Sequence, residues 1–392
     1  MPDFDYLIVG GGMTADAVVR GIRAVDSSGS IGLLSAEPDP PYNRPPLSKG
    51  LWKGKDPNTI WRGTDKFEVE LLLNRRVTEI DAAARRVTDR AGEAFGYRKL
   101  MLATGGKPRR MPFGGDSVIY FRSLRDYRRL RTLADEKEAF IVIGGGFIGS
   151  EIAAALCMQG RKVTMVFPEE GIGAATFPLD LSKSVTAYYR EKGVDVQCGA
   201  SVVDIAQHGE RIVVKTDGGG EIAGDAVVAG IGIQPNTGLA EGAGLAVDNG
   251  IVVDAGMRTS RPDIYAAGDV ASFYSPHLGQ RLRVEHEDNA NTMGQLAGQA
   301  MAGESVEYNH LPFFYSDLFD LGYEAVGRLD ARLETVADWQ DPLKKGVVYY
   351  LDQGRVRGIL LWDTWGKVEA ASELIAEPGP FRPDDLKGRL GA

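Results

Sequence analysis

The ten residues Tyr6 to Ala15, YLIVGGGMTA, constrain this chain more than any other stretch. The apolar run Tyr6-Leu7-Ile8-Val9 reads as a buried strand, and it meets Gly10-x-Gly12-x-x-Ala15 with a helical pattern behind it, over residues 14–25. Strand, glycine turn and helix in that order make a dinucleotide-binding fingerprint. Gly10 permits the tight turn, Gly12 lets the backbone approach a pyrophosphate, and Ala15 is small enough for close helix–strand packing. The pyrophosphate would rest on the helix N-terminus, where free N–H groups and the macrodipole favour an anion. A glycine-rich turn with no ligand can give those letters once. Here they recur: Phe140-Ile141-Val142-Ile143 runs into Gly144-x-Gly146-x-x-Gly149 and a helix over 150–158. Two complete fingerprints are hard to produce by chance.

Each fingerprint is followed by a second strand and an acid. Ile31–Leu34 precedes Glu37, 25 residues past Gly12, and Val163–Phe167 precedes Glu169, 20 residues past Gly149. A carboxylate at that spacing accepts hydrogen bonds from ribose hydroxyls. At the second site it favours NADH, because the 2′-phosphate of NADPH wants an arginine there. Arg161 and Lys162 lie before the strand and leave some NADPH use open.

Composition excludes several alternatives. Of 392 residues, 45 are basic and 54 acidic, a net charge of −9 that argues against a general nucleic-acid binder. The two cysteines, Cys157 and Cys198, are 41 positions apart with no C-x-x-C, so neither a disulfide framework nor a cysteine zinc site is expected. The four histidines show no metal-ligand spacing, and no metal is expected. We expect no signal peptide, no membrane span and a cytoplasmic location.

Between and after the fingerprints, Pro40-Pro41-Tyr42-Asn43-Arg44-Pro45-Pro46-Leu47-Ser48-Lys49 is stiff. Its prolines forbid a helix until Leu47 and would hold Arg44 and Lys49 against an anionic or redox group. Short strands are expected at 69–73, 77–80, 86–89 and 97–102, the last ending in Ala103-Thr104-Gly105-Gly106, where small residues imply close packing on something flat or phosphorylated. Residues 108–123 read as an irregular linker, 124–134 and 181–192 as helices, and 194–198 and 212–216 as strands. Ala226–Gly232 repeats the pattern of 102–106. Ile264–Val270 reads as a strand, a glycine and then Asp269 at a helix start, with a further helix over 290–301. Asp352-Gln353-Gly354-Arg355 is a hairpin turn joining strands at 346–351 and 356–361.

In this order, PPYNRPPLSKGLW, ATGGKPR, IGGGFIGSEIA, VFPEEG, IGIQPN, YAAGDVASFY, RVEHEDNA, FYSDL with GYEAVG, and KGVVYYLDQGRVRGILLW resemble flavoprotein reductases with two dinucleotide domains. Within that group the chain looks most like apoptosis-inducing factor and its bacterial NADH oxidoreductase relatives. It departs in lacking the long C-terminal insertion, since Trp339 to Gly346 passes straight across. Only one acid stands at Ala36-Glu37 where some relatives have two, and Tyr315 stands where apoptosis-inducing factor has a tryptophan near the nicotinamide.

The resemblance implies an α/β fold of two Rossmann-like domains plus a C-terminal α+β domain. Residues 1–112 and 239–310 would bind FAD, 113–238 would bind NAD, and 311–392 would form the C-terminal domain. FAD would contact Gly10, Gly12, Ala15, Glu37, Arg44, Lys49, Val77, Thr104, Gly105, Arg109, Gly268, Asp269 and His286, and Glu285 is a further expected cofactor-binding residue. The NADH side would involve Gly144, Gly146, Phe147, Gly149, Glu151, Glu169, Gly232 and Tyr315. Lys49 and Glu151 would pair at the flavin–nicotinamide junction beside His286; these three are the expected catalytic residues.

The expected activity is FAD-dependent oxidation of NADH, with hydride passing to flavin N5 and electrons going on to a quinone, oxygen or a protein. A ferredoxin or rubredoxin reductase is the alternative enzyme, with Lys107–Arg110 and Arg128–Arg131 as basic docking stretches. A reading from another class is a redox-gated interaction protein whose oligomeric state, a possible homodimer, answers to NADH. The absence of a cysteine pair after the first fingerprint argues against a disulfide reductase.

Overall fold

The computed structural model describes residues 2–391. Contact density separates two compact units, the first built from Met1–Arg44, Pro57–Lys107 and Gln234–Pro312, the second from Pro45–Asp56, Pro108–Ile233 and Phe313–Ala392. The stretch 45–56, read from the sequence with the first fingerprint's segment, clusters with the second fingerprint.

In the first unit the strand Asp3–Val9 lies between Ile31–Leu34 and Ala94–Leu102, parallel to both. Val69–Leu72 extends one edge, Ile264–Ala266 also pairs parallel with Ala94–Leu102, and the antiparallel strands Arg86–Asp89 and Val77–Asp81 complete the sheet. Leu7, Ile8, Leu33, Leu100 and Leu102 are buried, as central strands covered on both faces require. The helix Met13–Val25 packs on the helix Glu287–Met301 at backbone distance: a Cβ added at Gly298 would lie 2.2 Å from the Val18 carbonyl oxygen, and one at Gly21 2.0 Å from that of Gln295.

In the second unit a parallel sheet runs Asp195–Cys198, Lys162–Phe167, Ala139–Ile143, Ala226–Ala229, Val118–Tyr120. A three-stranded antiparallel sheet follows over Val202–His208, Arg211–Thr216 and Glu221–Gly224. The C-terminal part is a five-stranded antiparallel sheet, Phe313–Leu318, Leu321–Gly327, Arg355–Trp362, Lys345–Asp352, Glu334–Asp341, with the helix Val368–Ala376. Trp339 pairs with Gly346 across a short turn, so no insertion interrupts this sheet. In the Asp352–Arg355 turn both Gln353 and Gly354 take positive φ, the geometry that matches strand twist.

Three sequence expectations give way. The 108–123 linker contains the edge strand Val118–Tyr120, whose three residues are too few to show a period. Pro45–Leu47 forms a turn of 3-10 helix: the prolines need donate nothing, because the amides that close it come from Ser48 and Lys49. Asp269 opens no α-helix; Gly268–Val270 is one 3-10 turn that runs into the strand Ala271–Ser275.

Candidate functional site: two nucleotide cradles and a buried lysine–glutamate pair

The first cradle sits where Asp3–Val9 meets Met13–Val25. Gly10 has φ +132°, and a Cβ there would lie 2.1 Å from the Ala103 carbonyl oxygen, so the strand end and the Ala103–Gly105 turn touch through backbone alone. Gly12 caps the helix with no side-chain hydrogen bond, leaving its first-turn amides to be met by an anion. Beyond Gly12 the nearest atoms to a virtual Cβ are those of the Arg44 guanidinium, at 3.9 Å. Arg44 in turn bonds Glu37 at 2.5 Å, and the Tyr42 hydroxyl donates to the other Glu37 oxygen at 2.7 Å. Glu37, the acid expected at the ribose, and Arg44 are therefore one preassembled group.

Around this face lie the remaining first-unit candidates. Thr104 Oγ1 donates to the Asn236 carbonyl, and the Asn236 amide returns a bond to the Thr104 carbonyl, fixing the turn that contains Gly105. Gly268 has φ +75°, and a Cβ there would strike Thr14 Oγ1 at 2.2 Å. The Asp269 charge reaches Arg44. His286 precedes the helix Glu287–Met301, and burial pushes its pKa down to about 4 against the pull of Asp269 and Asp288, so its imidazole is neutral near pH 7. Glu285 pairs with Arg283 at 2.8 Å. Ala15 is fully buried against the sheet, and Val77 is a core residue at the start of its strand.

The second cradle repeats the backbone logic. Gly144 has φ +110°, and its virtual Cβ would lie 2.4 Å from the Gly230 carbonyl; that of Gly149 would lie 2.0 Å from the Gly144 carbonyl. Gly146 caps the helix Phe147–Met158 without a side-chain bond, and nothing lies within 4 Å of its virtual Cβ. Phe147, at the first helical position, is 39% exposed and packs edge-on with Phe314 at 5.2 Å. Glu169 is exposed past the end of Lys162–Phe167. Arg161 bonds the Gln159 and Lys137 carbonyls and Lys162 faces Glu138, so both cations sit at the strand's opposite end. Arg109 and Gly232 meet through the Arg109 amide and the Gly232 carbonyl at 2.9 Å.

One turn into the second helix, Glu151 is 4% exposed and fully engaged. Oε1 accepts from Lys49 Nζ at 2.9 Å and from Ser316 Oγ at 2.6 Å, while Oε2 accepts from Ser48 Oγ at 2.6 Å. Burial, and then the Glu151 charge, hold the Tyr189 and Tyr323 phenols well above their ordinary value. Lys49 Nζ also lies 4.8 Å from the Tyr315 ring centre, so tyrosine still supplies an aromatic face to the cation. A pair this dry is no solvated surface bridge; removing either partner would strand a buried charge.

The residues present fit two bound dinucleotides: two helix N-termini without side-chain caps, each followed by an acid, with a Cβ at Gly12 meeting only the Arg44 guanidinium within 4 Å and one at Gly146 meeting nothing. Comparison with known proteins agrees. The pyridine nucleotide-disulphide oxidoreductase family matches residues 4–294, and the C-terminal part of mitochondrion-associated apoptosis-inducing factor matches 297–344. The chain belongs to the pyridine nucleotide-disulphide oxidoreductases. It is 34% identical to the mitochondrial apoptosis-inducing factor 1 of Dictyostelium discoideum over 95% of this chain and 78% of that protein. It is also 34% identical to the ferredoxin reductase subunit of 5,5'-dehydrodivanillate O-demethylase from Sphingobium sp. SYK-6, over 91% of this chain and 89% of that one. Its fold superposes on putidaredoxin reductase, in a covalent complex with putidaredoxin, with a TM-score of 0.90 and 29% identity, covering 100% of this chain and 96% of that one. This member of the family is an NAD(P)H-dependent flavoprotein oxidoreductase that uses FAD and NAD. Despite the family's title, both its cysteines are free: Cys157 lies on the second cradle's helix and Cys198 ends a strand.

Several participants have no signature in the sequence. Asp16 is fully buried one turn into the first helix, where it accepts from Arg20 Nε at 2.8 Å, Arg62 Nε at 2.6 Å and Thr64 Oγ1 at 2.7 Å. Arg62 continues to Asn43 and Asn291, tying the proline-rich stretch to both helices. The partners lie up to 229 positions apart, which no local pattern reveals. Ser48 was visible only as a neighbour of Lys49, and Ser316 only as a neighbour of Tyr315.

Proposed function

We propose that this protein is an NADH-preferring FAD oxidoreductase in which the first cradle holds FAD and the second receives NADH. The observation that carries the coenzyme preference is the exposed Glu169 at the ribose end of the second cradle, with Arg161 and Lys162 both engaged at the far end of the same strand. A 2′-phosphate there would meet the Glu169 carboxylate, while the guanidinium at that end of the sheet, Arg190, is already engaged with the Val196 carbonyl at 2.7 Å.

A bound flavin would supply hydride acceptance at N5 and electron transfer singly or in pairs. The chain's own groups orient and balance charge. Gly12, Arg44 and the first-turn amides would hold the FAD pyrophosphate, Glu37 its adenosine ribose, and Asp269 a ribityl hydroxyl. Gly146 and the second helix's amides would hold the NADH pyrophosphate. Lys49 is the cation assigned to offsetting the negative charge of the reduced flavin, and Glu151, braced by Ser48 and Ser316, fixes that ammonium. Neutral His286 adds no competing positive charge.

The relatives support a second reading of the acceptor, a small iron–sulfur protein, because one relative is a ferredoxin reductase subunit and a similar structure is joined to putidaredoxin. Of the basic stretches, Arg129 bonds the Asp116 carbonyl and Arg131 bonds Gln159, so much of that charge serves the fold. We assign a cytoplasmic location and a possible homodimer; fractionation and sedimentation test these. Among the described residues, no helix is long and apolar enough to cross a membrane.

The test is anaerobic titration of the purified yellow protein. NADH bleaches the flavin band at about 450 nm stoichiometrically, and NADPH does so with at least about tenfold lower kcat/KM. A band unmoved by NADH refutes the proposal. A steady-state panel of quinones, ferricyanide, oxygen and ferredoxins names the acceptor.

A further inference from the structure

The segment 168–178 leaves the second cradle's second strand with Glu169 and ends at the helix Leu179–Glu191. Nothing in its sequence, PEEGIGAATFP, stiffens it except prolines at its two ends. Its fixation comes from two sides. On the cradle side, the Gly173 amide donates to the Gly145 carbonyl at 2.8 Å, within the fingerprint itself, and Ile172 is tied to the next helix through Thr186 and Ser182.

On the other side stands the C-terminal sheet, and its contribution is specific. Tyr350 Oη donates to the Thr176 carbonyl at 2.7 Å. The Ala331 amide donates to the Ala175 carbonyl at 3.1 Å. Phe177, 2% exposed, meets the rings of Tyr323 and Trp362 edge-on at 5.3 and 5.5 Å, and those two rings are themselves stacked. The turn that presents Ala331 is itself held. Asp330 accepts from Arg328 Nη2 at 2.6 Å and from Arg332 Nε and Nη2, each at 2.8 Å, while its carbonyl accepts from Leu333. The Arg332 guanidinium, against the cost of burial, holds the Asp330 carboxyl well below the usual carboxylate range. Three consecutive residues, Ala175 to Phe177, are thus gripped by groups from the strands Leu321–Gly327, Lys345–Asp352 and Arg355–Trp362 and from the 328–333 turn.

We infer that the C-terminal sheet is a clasp for segment 168–178, and that Tyr350, Phe177 and Asp330 are positioning residues that set affinity for the adenosine half of the pyridine nucleotide. The inference rests on the reading of the second cradle as the NADH site. Its physical basis is preorganisation. A loop that must be ordered on binding weakens the complex by the entropy of ordering it, whereas a loop fixed beforehand presents Glu169 without that cost. Ligand fragments that end before the adenosine do not extend to Glu169 and are expected to be insensitive to the clasp.

The holoenzyme and two variants, Tyr350→Phe and Asp330→Ala, separate the possibilities. Tyr350→Phe deletes one hydroxyl, and Asp330→Ala loosens a turn remote from both cradles along the chain. Calorimetry with ADP-ribose, which carries the adenosine half and no nicotinamide, is expected to show Kd rising about three- to tenfold in each, as one lost hydrogen bond gives. The KM for NADH rises in parallel with kcat unchanged. Flavin reduction by reduced nicotinamide mononucleotide, which has no adenosine, proceeds at the wild-type rate. Two results overturn the clasp: ADP-ribose affinity within about twofold of wild type in both variants, or an equal loss with the mononucleotide, which would mark general loosening. A wild-type flavin that NADH fails to reduce would instead refute the NADH reading.

Discussion

The two cradles share a backbone plan and differ in what surrounds it. In both, the first glycine takes positive φ and abuts a carbonyl of a neighbouring strand's end, Ala103 for one and Gly230 for the other. In both, the helix starts on a glycine without a side-chain cap. In the first, however, the opening helical residues Met13 and Thr14 are 6% and 7% exposed, and the helix is braced by the buried Asp16–Arg62–Thr64 network and by close contact with Glu287–Met301. In the second, Phe147 and Ile148 are 39% and 37% exposed at the same place. An identical phosphate grip can therefore serve a ligand that stays or one that exchanges. Enclosure, set by residues outside the fingerprint, makes the difference. The proposed assignment, FAD in the first cradle and NADH in the second, matches that difference in enclosure.

The most severe test of that contrast is a matched pair of alanines. Gly10→Ala forces a side chain against the Ala103 carbonyl in a backbone region that disfavours it, so FAD is lost and the melting temperature falls steeply. Gly146→Ala has ordinary φ and open space, so melting is unchanged and FAD content stays full while the KM for NADH rises. The ratio of flavin to protein absorbance and a thermal melt read both; equal behaviour of the pair would erase the distinction.

Next in size is Asp16→Ala, which leaves the largely buried Arg62 without its carboxylate at a cost of about 3–5 kcal/mol. Purification without FAD, or rapid flavin loss on dialysis, is the expected outcome. A variant that keeps its flavin would show that enclosure does not govern retention. The corresponding change in the second cradle, Glu151→Gln, removes the counter-charge of Lys49 while keeping shape, so FAD content holds and the stopped-flow rate of flavin reduction by NADH falls about 10- to 100-fold. Glu169→Arg acts on specificity alone: the NADPH-to-NADH ratio of kcat/KM rises at least about tenfold, measured at steady state.

The smallest effect concerns pH. The folded pKa of His286 lies below its ordinary 6.5, at about 4, because burial disfavours the charged ring. Between those values the unfolded chain binds a proton that the folded one refuses. The contribution to stability is therefore complete above pH 6.5 and drains away as pH falls toward 4. Urea midpoints across that window should decline in wild type and decline less in His286→Gln.

Much of this molecule is legible in its letters where the signal is local. The buried strands before each fingerprint, the helices behind them and the Asp352–Arg355 turn follow from periodicity and from glycine chemistry within a few residues. The strand Glu221–Gly224 lies on an edge and alternates too briefly to stand out. Val118–Tyr120 is fully buried but only three residues long, and pairing with Ala226–Ala229, more than a hundred positions on, makes it a strand. The 3-10 turn at Pro45–Leu47 shows a breaker residue serving a different helix, which depends on what the next residues donate.

The sequence by itself determined that two phosphate cradles exist and which acids follow them, because each is a contiguous unit whose backbone geometry only glycine at set positions allows. Tertiary structure alone decided that Glu37 and Arg44 form one group, that Glu151 is braced by serines 103 residues before it and 165 after it, and that a distant antiparallel sheet grips the segment behind Glu169. Apart from Glu37 and Arg44, which are 7 positions apart, those pairings join points far apart along the chain. Such contacts form only when the packed core brings them within reach, and a one-dimensional pattern carries no record of that distance.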